Sequence, residues 1–328
     1  MSHIRMRSEN MTKHISKEAT TSSRIEGTKT NIEEALLKED DINPEQRDDW
    51  NEVQNYISAI NYSIQELEKL PLSNRLLKNA HAVLLEGVRG KHKRPGEFRR
   101  SQNWIGATLK DAMYIPPHHT STPDLMSDLE NFLNNTSFHT PHLIKIAIAH
   151  YQFETIHPFL DGNGRLGRLL ITLYLVSNDI LKKPALYISE FFEKHRNYYY
   201  DNLMQARLNN SLEQWIKFFL VGVIETSKSS IQVFKDIIEL KSDIENERLV
   251  KLGSKSKRNI QALGILFDNP IITAGKFVDK MGIAHSTANR LLANFEDLGI
   301  LKEFTGYKRN RKFIFKEYFE IFNKGKND

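Results

Sequence analysis

Apolar residues recur every three or four positions along most of this chain, a spacing that predicts a mainly helical protein. One run, from Leu143 to Phe153, is long enough for a buried helix, and Pro158 ends it by removing a backbone donor. A second run, from Leu166 to Tyr174, predicts a helix that starts near Arg165. The same spacing predicts further helices around residues 32–36, 50–60, 76–84 and over most of 212–250.

The pattern changes between residues 95 and 117. Short apolar runs at residues 104–107 and 113–117 are interrupted by glycine and stop at a Pro-Pro pair. Such alternation predicts a β-hairpin that ends at the prolines.

The last part of the chain has its own pattern. Residues 256–320 show helix, helix, turn, helix and two strands around Thr305-Gly306, which is the order of a small α+β winged-helix domain. DNA is therefore a candidate partner. The same module also serves as a contact with another protein or with a second copy of the chain, and in the latter case the protein would be a homodimer. The residues expected to face DNA are Ser286, Thr287, Asn289 and Arg290 on the third helix, and Lys308, Arg309, Arg311 and Lys312 on the wing.

Charge separates this tail from the rest of the chain. The net charge is +5, but residues 251–328 carry 15 Lys and Arg against 8 Asp and Glu, so only the tail is basic. The absence of cysteine excludes disulfides and cysteine zinc sites. Because the N-terminus is polar and no 18-residue apolar span occurs, we expect a cytoplasmic protein without membrane contact.

The chemically able groups are concentrated in residues 157–168, between the two apolar runs. Gly162-Asn163-Gly164 precedes a helix, whose N-terminus presents backbone N–H groups at the positive end of the helix dipole and suits a phosphate. Arg165 and Arg168 share one helix face and can bind further phosphate oxygens.

Two further residues of this loop complete the parts needed for attack on a phosphate. Asp161 supplies a hard oxygen ligand for Mg²⁺, which usually takes one or two carboxylates and fills its shell with water and phosphate. His157, at the end of the preceding helix, is the only base in the loop that titrates near neutral pH.

The segment resembles the signature of the Fic (filamentation induced by cAMP) family, H-P-F-x-[D/E]-G-N-G-R-x-x-R, and every specified position matches. The resemblance implies a Fic helical bundle with a β-hairpin flap, and a protein adenylyltransferase that moves AMP from ATP to a Ser, Thr or Tyr hydroxyl of a target protein or of itself. It assigns catalysis to His157 and Mg²⁺ to Asp161. It assigns the nucleotide to Gly162, Asn163, Gly164, Arg165, Leu166, Gly167 and Arg168.

An acidic residue near the N-terminus gains meaning from the same resemblance. By itself, Glu26 looks like a solvated charge at the end of a short helix, which Gly27 can close in the left-handed conformation. However, residues Ser22 to Gly27 fit the Fic inhibitory motif [S/T]-x-x-x-E-[G/N]. In relatives with this motif ahead of the core, the glutamate pairs with the second signature arginine, here Arg168, and keeps ATP from its productive position.

The resemblance also suggests where the target and the adenine bind. The flap residues Tyr114, Ile115 and Pro116 are expected to hold the target chain by strand addition. Fic relatives place a Tyr-Tyr pair near adenine, and Tyr199-Tyr200 matches it best by spacing. The alternative is that these aromatic rings belong to the core.

We therefore expect three regions: residues 1–90 with an inhibitory helix around 14–27, a catalytic core at 91–250, and the winged-helix domain at 256–320 after a Gly/Ser/Lys linker. Other functions stay open. Fic relatives transfer UMP, phosphate or phosphocholine, or remove AMP again, and the chain could instead be an ATP-sensing transcription regulator or an interaction scaffold. The sequence Gly162-Asn163-Gly164-Arg165 favours nucleotidyl transfer over the kinase-like variants.

Overall fold

The computed structural model describes residues 2–106, 108–137, 139–252, 257–307 and 309–323, with side chains from residue 13 onward. It contains two compact units, residues 14–227 and the described parts of residues 1–13 and 228–328. None of the helices in these described ranges has both the length and the apolar character needed to cross a bilayer.

Ten helices account for most of the first unit, and the mainly helical prediction is confirmed. The first of them begins, and the last of them ends, in residues of the second unit. In chain order they are α1 (Ser2–Ile25), α2 (Ile32–Ala35), α3 (Arg47–Glu66), α4 (Asn74–Leu84), α5 (Thr122–Asn134), α6 (His142–Ile156), α7 (Asn163–Ser177), α8 (Ile188–Lys194), α9 (Arg196–Asn209) and α10 (Leu212–Asp243).

Local sequence explains how several of these helices start. Asn31 and Glu34 form a capping box at α2, and Ser73 accepts a hydrogen bond from the Leu76 amide at α4. The apolar faces of α3 and α4 pack against each other and against α7. Because these contacts tie α3 and α4 to the core, the boundary expected near residue 90 falls inside one compact unit.

Helix α7 is the centre of this unit. Nearly all of its side chains are buried, as expected for a helix that is apolar on all sides. It begins at Asn163, two residues before the expected start, with Gly162 in the left-handed conformation (φ 73°) as its N-cap. Helix α6 packs beside α7 and ends at Ile156.

The hairpin expected near residues 104–117 is much reduced. Among the described residues it contains one antiparallel bridge, between Ile105 and Tyr114, instead of two strands, and Ala107 lies outside those residues. Gly106 has a φ of 139°, and a Cβ there would lie 2.8 Å from the carbonyl oxygen of Asp111. This backbone geometry breaks the regular ladder one residue after the bridge.

The second unit contains four more helices and a three-stranded antiparallel sheet of order β1-β3-β2. The three helices and the two later strands were expected, whereas β1 and α14 were not. Linker residues 253–256 and Lys308 lie outside the described residues. The elements are α11 (Lys257–Asp268), β1 (Ile271–Thr273), α12 (Ala274–Met281), α13 (His285–Asp297), β2 (Lys302–Glu303), β3 (Lys312–Ile314) and α14 (Lys316–Asn323).

Candidate active site

His157 lies directly after α6 in an unusual backbone conformation. It is the C-cap of the helix, with φ 49° and ψ 61°, in the left-handed region that few residues other than glycine adopt. Its carbonyl oxygen accepts hydrogen bonds from Arg99 Nε at 3.0 Å and from Asn103 Nδ2 at 3.4 Å. Arg99 also donates to the carbonyls of Ile156 and Pro117. The strained turn is therefore held by side chains far away in sequence.

Asn163 closes the loop from the other side. Its side-chain oxygen accepts from the amide of Phe159 at 2.9 Å, and its side-chain nitrogen donates to the carbonyl of Phe159 at 2.8 Å. The family resemblance assigns Asn163 to the nucleotide, and in this structure both ends of its side chain are bonded to the backbone of the loop. The donor that Asn163 can still offer is its backbone N–H, which is among the first N–H groups of α7, and these have no partner within the helix.

Asp161 faces open space with its backbone fixed. Its carbonyl accepts from His81 Nε2 at 2.9 Å, while His81 Nδ1 accepts from the amide of Gly96 at 2.8 Å. Burial lowers the pKa of His81 to about 4, so this imidazole is neutral and bridges two loops. Gly90 leaves room for the carboxylate, since a Cβ there would lie 2.6 Å from Asp161 Oδ2.

A cavity of about 340 Å³ lies against this loop. It brings together most of the polar groups expected in the site, and it adds two that sequence reasoning missed, Glu52 and Arg89. The lining residues are Glu26, Glu52, Arg89, His157, Leu160, Asp161, Gly162, Asn163, Gly164 and Arg165.

Arg168 is buried, and its partners are Ser22 in the last turn of α1 and Glu26 just after that helix. Its Nη2 donates to Glu26 Oε1 at 2.6 Å and to the Ser22 carbonyl at 3.0 Å, and its Nε donates to Ser22 Oγ at 2.9 Å. The pairing expected between Glu26 and Arg168 is thus present. Gly27, with a φ of 106°, follows the helix as expected.

The carboxylate of Glu26 lies on the N-terminal turn of α7. A Cβ on Gly164 would be 2.3 Å from Glu26 Oε1, so this oxygen rests where only glycine leaves space. Burial disfavours the charged form, but the charge and hydrogen bond of Arg168 outweigh it and lower the pKa of Glu26. An internal carboxylate therefore occupies the part of the helix terminus that favours anions.

Arg165 has a different partner. Its Nη1 donates to Glu52 Oε2 at 2.9 Å, and the other oxygen of Glu52 accepts from Arg89 Nε at 2.7 Å. The side chain of Glu52 is 4% exposed, whereas that of Arg89 is 62% exposed and faces the cavity. Glu52 thus bridges one buried and one accessible guanidinium group.

His157 and Glu154 form an enclosed pair beside the cavity. Oε2 of Glu154 lies 4.0 Å from Nδ1 of His157. Burial, and then the positive charge of Arg207, lower the pKa of His157 to about 4. The ring is therefore neutral near pH 7, the state in which it can accept a proton.

Three residues predicted to contact nucleotide lie in the core instead. Leu166 is buried, and Gly167 offers its carbonyl to His150 Nδ1 at 2.9 Å. Tyr199 is 1% exposed, and its hydroxyl is hydrogen-bonded to His150 Nε2. Tyr200 is 37% exposed, so it is the member of the Tyr-Tyr pair that a ligand can reach.

The flap residues differ in accessibility. Tyr114 is anchored, since its hydroxyl donates to the Thr155 carbonyl at 3.0 Å and Arg207 stacks on its ring at 4.0 Å. Pro116 is buried, and only Ile115 is well exposed. The exposed apolar side chains near it are Trp104, Leu109 and Met113.

Several residues that build the site were missed at the sequence level. His81, His150 and Glu154 sit within apolar helical runs, and a polar residue at such a position signals a buried role. Glu52 and Arg99 gave no comparable signal, because their partners are far away in sequence.

Comparison with known proteins identifies related sequences for much of this unit. Residues 71–175 match the model of the Fic/DOC family, and residues 9–65 match that of the Fic/DOC family N-terminal region. A protein adenylyltransferase Fic of Aedes aegypti is 36% identical over 124 residues, which are 38% of this chain and 22% of that protein. Its counterpart in Drosophila yakuba is 31% identical over 163 residues, 49% of this chain and 28% of that protein.

Solved structures show the same fold. A Fic family protein from Desulfovibrio desulfuricans aligns with a TM-score of 0.56 at 21% sequence identity. The alignment covers 95% of this chain and 87% of the Desulfovibrio chain. Fic-1 from C. elegans aligns with a TM-score of 0.52 at 23% sequence identity. The alignment covers 65% of this chain and 61% of the Fic-1 chain.

Proposed function

This chain carries a Fic/DOC family domain preceded by the N-terminal region of that family, and we propose on this premise that it is a protein adenylyltransferase that transfers AMP from ATP to a protein hydroxyl. The observation that carries the proposal is the position of the Glu26 carboxylate. A carboxylate held by Arg168 on the N-terminal turn of α7, next to the neutral imidazole of His157, marks an anion site beside a base.

The phosphates of ATP would take the place that Glu26 now fills. The first backbone N–H groups of α7 and the guanidinium groups of Arg165 and Arg168 are the donors available to them. Tyr200 is the ring that would border the adenine, since Tyr199 is enclosed.

Asp161 fits the expected Mg²⁺ ligand. Its side chain lines the cavity and is 40% exposed, and its Oδ1 accepts a hydrogen bond from the Gly162 amide at 2.6 Å. Among the described residues no cluster of three acidic or histidine ligands occurs, and a single carboxylate with phosphate oxygens and water is a usual Mg²⁺ shell. When bound there, Mg²⁺ would neutralise phosphate charge.

His157 would act as the general base. The target hydroxyl attacks the α-phosphorus, its proton passes to the imidazole, the new oxygen–phosphorus bond forms and the bond to pyrophosphate breaks. Positioning and electrostatic stabilisation would supply most of the rate, as in other phosphoryl transfers. The exposed apolar residues around Ile115 would align the backbone of the target.

Glu26 would act as an inhibitor. While it holds Arg168, the terminal phosphate of ATP has no guanidinium partner there, so ATP must displace Glu26 to bind productively. The alternative function is hydrolysis, in which Glu26 would activate a water molecule that removes AMP from a modified protein.

For the second unit we propose a winged helix. His285, Ser286, Asn289 and Arg290 are exposed on α13, as a helix that contacts DNA requires. Fluorescence anisotropy with duplex DNA at two salt concentrations tests this, and sedimentation tests whether the chain forms a dimer instead.

The decisive experiment for the enzyme is labelling. Purified protein with Glu26→Gly is incubated with each nucleoside triphosphate labelled on the α-phosphate, and self-labelling is measured. We expect label from ATP, and a loss of about 10²- to 10⁴-fold with an added His157→Ala. Label that persists without His157 would remove the assigned base, and label from UTP alone would change the substrate.

A further inference from the structure

A buried carboxyl group beside the catalytic loop has no role in the function proposed above. Glu154 lies in the last turn of α6, three residues before His157, and its Oε2 is 4.0 Å from Nδ1 of that ring. It does not line the cavity. It therefore reaches the reaction only through His157.

Each side chain of this pair has an unpaired polar atom. Among the described residues, Nδ1 of His157 and Oε1 of Glu154 are buried without a hydrogen-bond partner; Oε1 faces Gly167, and Oε2 is the oxygen next to the ring. Buried polar atoms are nearly always paired, so an unpaired Nδ1 at 4.0 Å from a carboxylate oxygen indicates a hydrogen bond that forms in another state of the site. Hydrogen bonds of this kind are often long until substrate binds.

The carboxyl group is confined on its far side. A Cβ on Gly167 would lie 2.3 Å from Glu154 Oε1 and 3.1 Å from a ring carbon of Phe153. Gly167 therefore leaves the space in which the carboxyl group of Glu154 lies. A side chain at position 167 would displace the carboxyl group of Glu154 from this position.

The charged groups around the pair act in both directions. Burial raises the pKa of Glu154 to about 7; Arg168 and Arg207 oppose this rise, and Glu26 adds to it. At His157, burial and Arg207 lower the pKa, as does Arg99, whereas Glu26 and the main-chain carbonyl of Glu154 raise it. Above about pH 7, a carboxylate therefore lies next to a neutral imidazole ring.

We propose that Glu154 is a positioning residue whose carboxylate accepts a hydrogen bond from Nδ1–H of His157, which leaves Nε2 unprotonated to receive the proton of the attacking hydroxyl. This inference rests on the proposed function. In the transfer step Nε2 gains the hydroxyl proton, Nδ1 keeps its own, and Glu154 stabilises the imidazolium without being protonated itself.

The kinetic test uses Glu154→Gln in the Glu26→Gly background. Glutamine keeps the shape and the main-chain carbonyl but not the charge, so kcat should fall by about tenfold or more, while KM for ATP changes by less than about twofold. Because the pKa of Glu154 is about 7, its ionisation should make kcat rise between about pH 6 and 8, and that rise should vanish in Glu154→Gln.

Two further variants make the test specific. Glu18→Gln is the matched control, because burial also raises the pKa of Glu18 to about 7 but Ser189 is its partner; kcat should stay within about twofold. Gly167→Ala keeps the carboxyl group but displaces it, and it should lower kcat as Glu154→Gln does. Thermal melting shows whether each variant is folded.

A readout independent of activity is the ¹⁵N NMR spectrum of histidine-labelled protein at pH 8, with the His157 signals assigned from their loss in His157→Ala. We expect the Nδ1–H tautomer in the parent and a shift toward Nε2–H in Glu154→Gln. An Nε2–H ring in the parent, or no change in the variant, overturns the inference. A protein that shows the expected tautomers but never accepts label would instead reject the proposed function.

Discussion

The two signature arginines are three residues apart on one helix and are held in opposite ways. Arg165 is bound to Glu52 of α3, whose side chain is 4% exposed. Arg168 is bound to Glu26, whose side chain is 35% exposed and borders the cavity. Both pairs are short and charge-assisted, so geometry at the arginine does not distinguish them.

What differs is the freedom of the carboxylate. Glu52 lies within a long helix and holds two arginines, so its removal would break two ion pairs at once. Glu26 lies just beyond the C-terminal end of α1, and Ser22 would still accept hydrogen bonds from Arg168 after Glu26 had moved. One carboxylate is therefore enclosed in the fold, whereas the other is accessible from the cavity.

The largest expected effect is on stability, from Glu52→Gln. Removing one partner of a buried pair leaves Arg165 poorly compensated and should lower the free energy of unfolding by about 3 kcal/mol. Glu26→Gln should lower it by no more than about 1 kcal/mol, because its group is partly exposed. Urea denaturation measures both, and equal losses would remove the distinction between the two pairs.

The next effect is on rate, from Glu26→Gly. Freeing Arg168 for the terminal phosphate should raise AMP transfer by on the order of tenfold to a hundredfold. Because residue 26 follows the end of α1, glycine there does not interrupt the helix. The measurement is transfer of labelled AMP by folded protein. An added Arg168→Ala should cancel the gain, and a rate that stays at the wild-type level would refute inhibition by Glu26.

A smaller effect is expected at acidic pH from His81. Its pKa is lowered to about 4 by burial, below the ordinary value near 6.5. A lowered histidine pKa contributes stability that is present above pH 6.5 and is lost as the pH falls through 4. Melting temperatures from pH 7 to 4 should fall by a few degrees more than in His81→Gln. Parallel curves would show that folding does not lower the pKa of His81.

For Glu18 we expect the opposite dependence of stability on pH, a loss of stability as the pH rises. Its pKa is raised to about 7 by burial, so the stability it contributes is fully present below pH 4.5 and is lost as the pH rises through 7. The melting temperature of Glu18→Gln should therefore fall less than that of the wild type between pH 5 and 8. An identical fall in both proteins would place an ionised Glu18 in the fold.

Local pattern was enough to predict the helices around the loop and the groups the loop contains. The run from Leu143 to Phe153 and the one from Leu166 to Tyr174 became α6 and α7, because burial of an apolar face at helical spacing is a property of neighbouring residues. The hairpin was overestimated, since glycine and proline break a ladder that short apolar runs suggest.

The roles of individual side chains depended on partners that a local pattern does not reveal. The side chain of Asn163 is hydrogen-bonded to the backbone of Phe159, and the hydroxyl of Tyr199 is hydrogen-bonded to His150 in the core. Both residue types suit a ligand site and an internal hydrogen bond equally well. Only the packing of α6, α7 and α9 decided between the two uses.

The sequence by itself determined that this protein is mainly helical and that a base, a carboxylate, a glycine-rich turn and two arginines follow one another within twelve positions, 157–168. The pairing of Glu26 with Arg168 was expected from the family resemblance, whereas only the tertiary structure decided that Glu52 holds Arg165, because these two residues are 113 apart in sequence. Helical spacing determines which residues share a face within a few turns, whereas ion pairs between distant residues depend on how the helices pack.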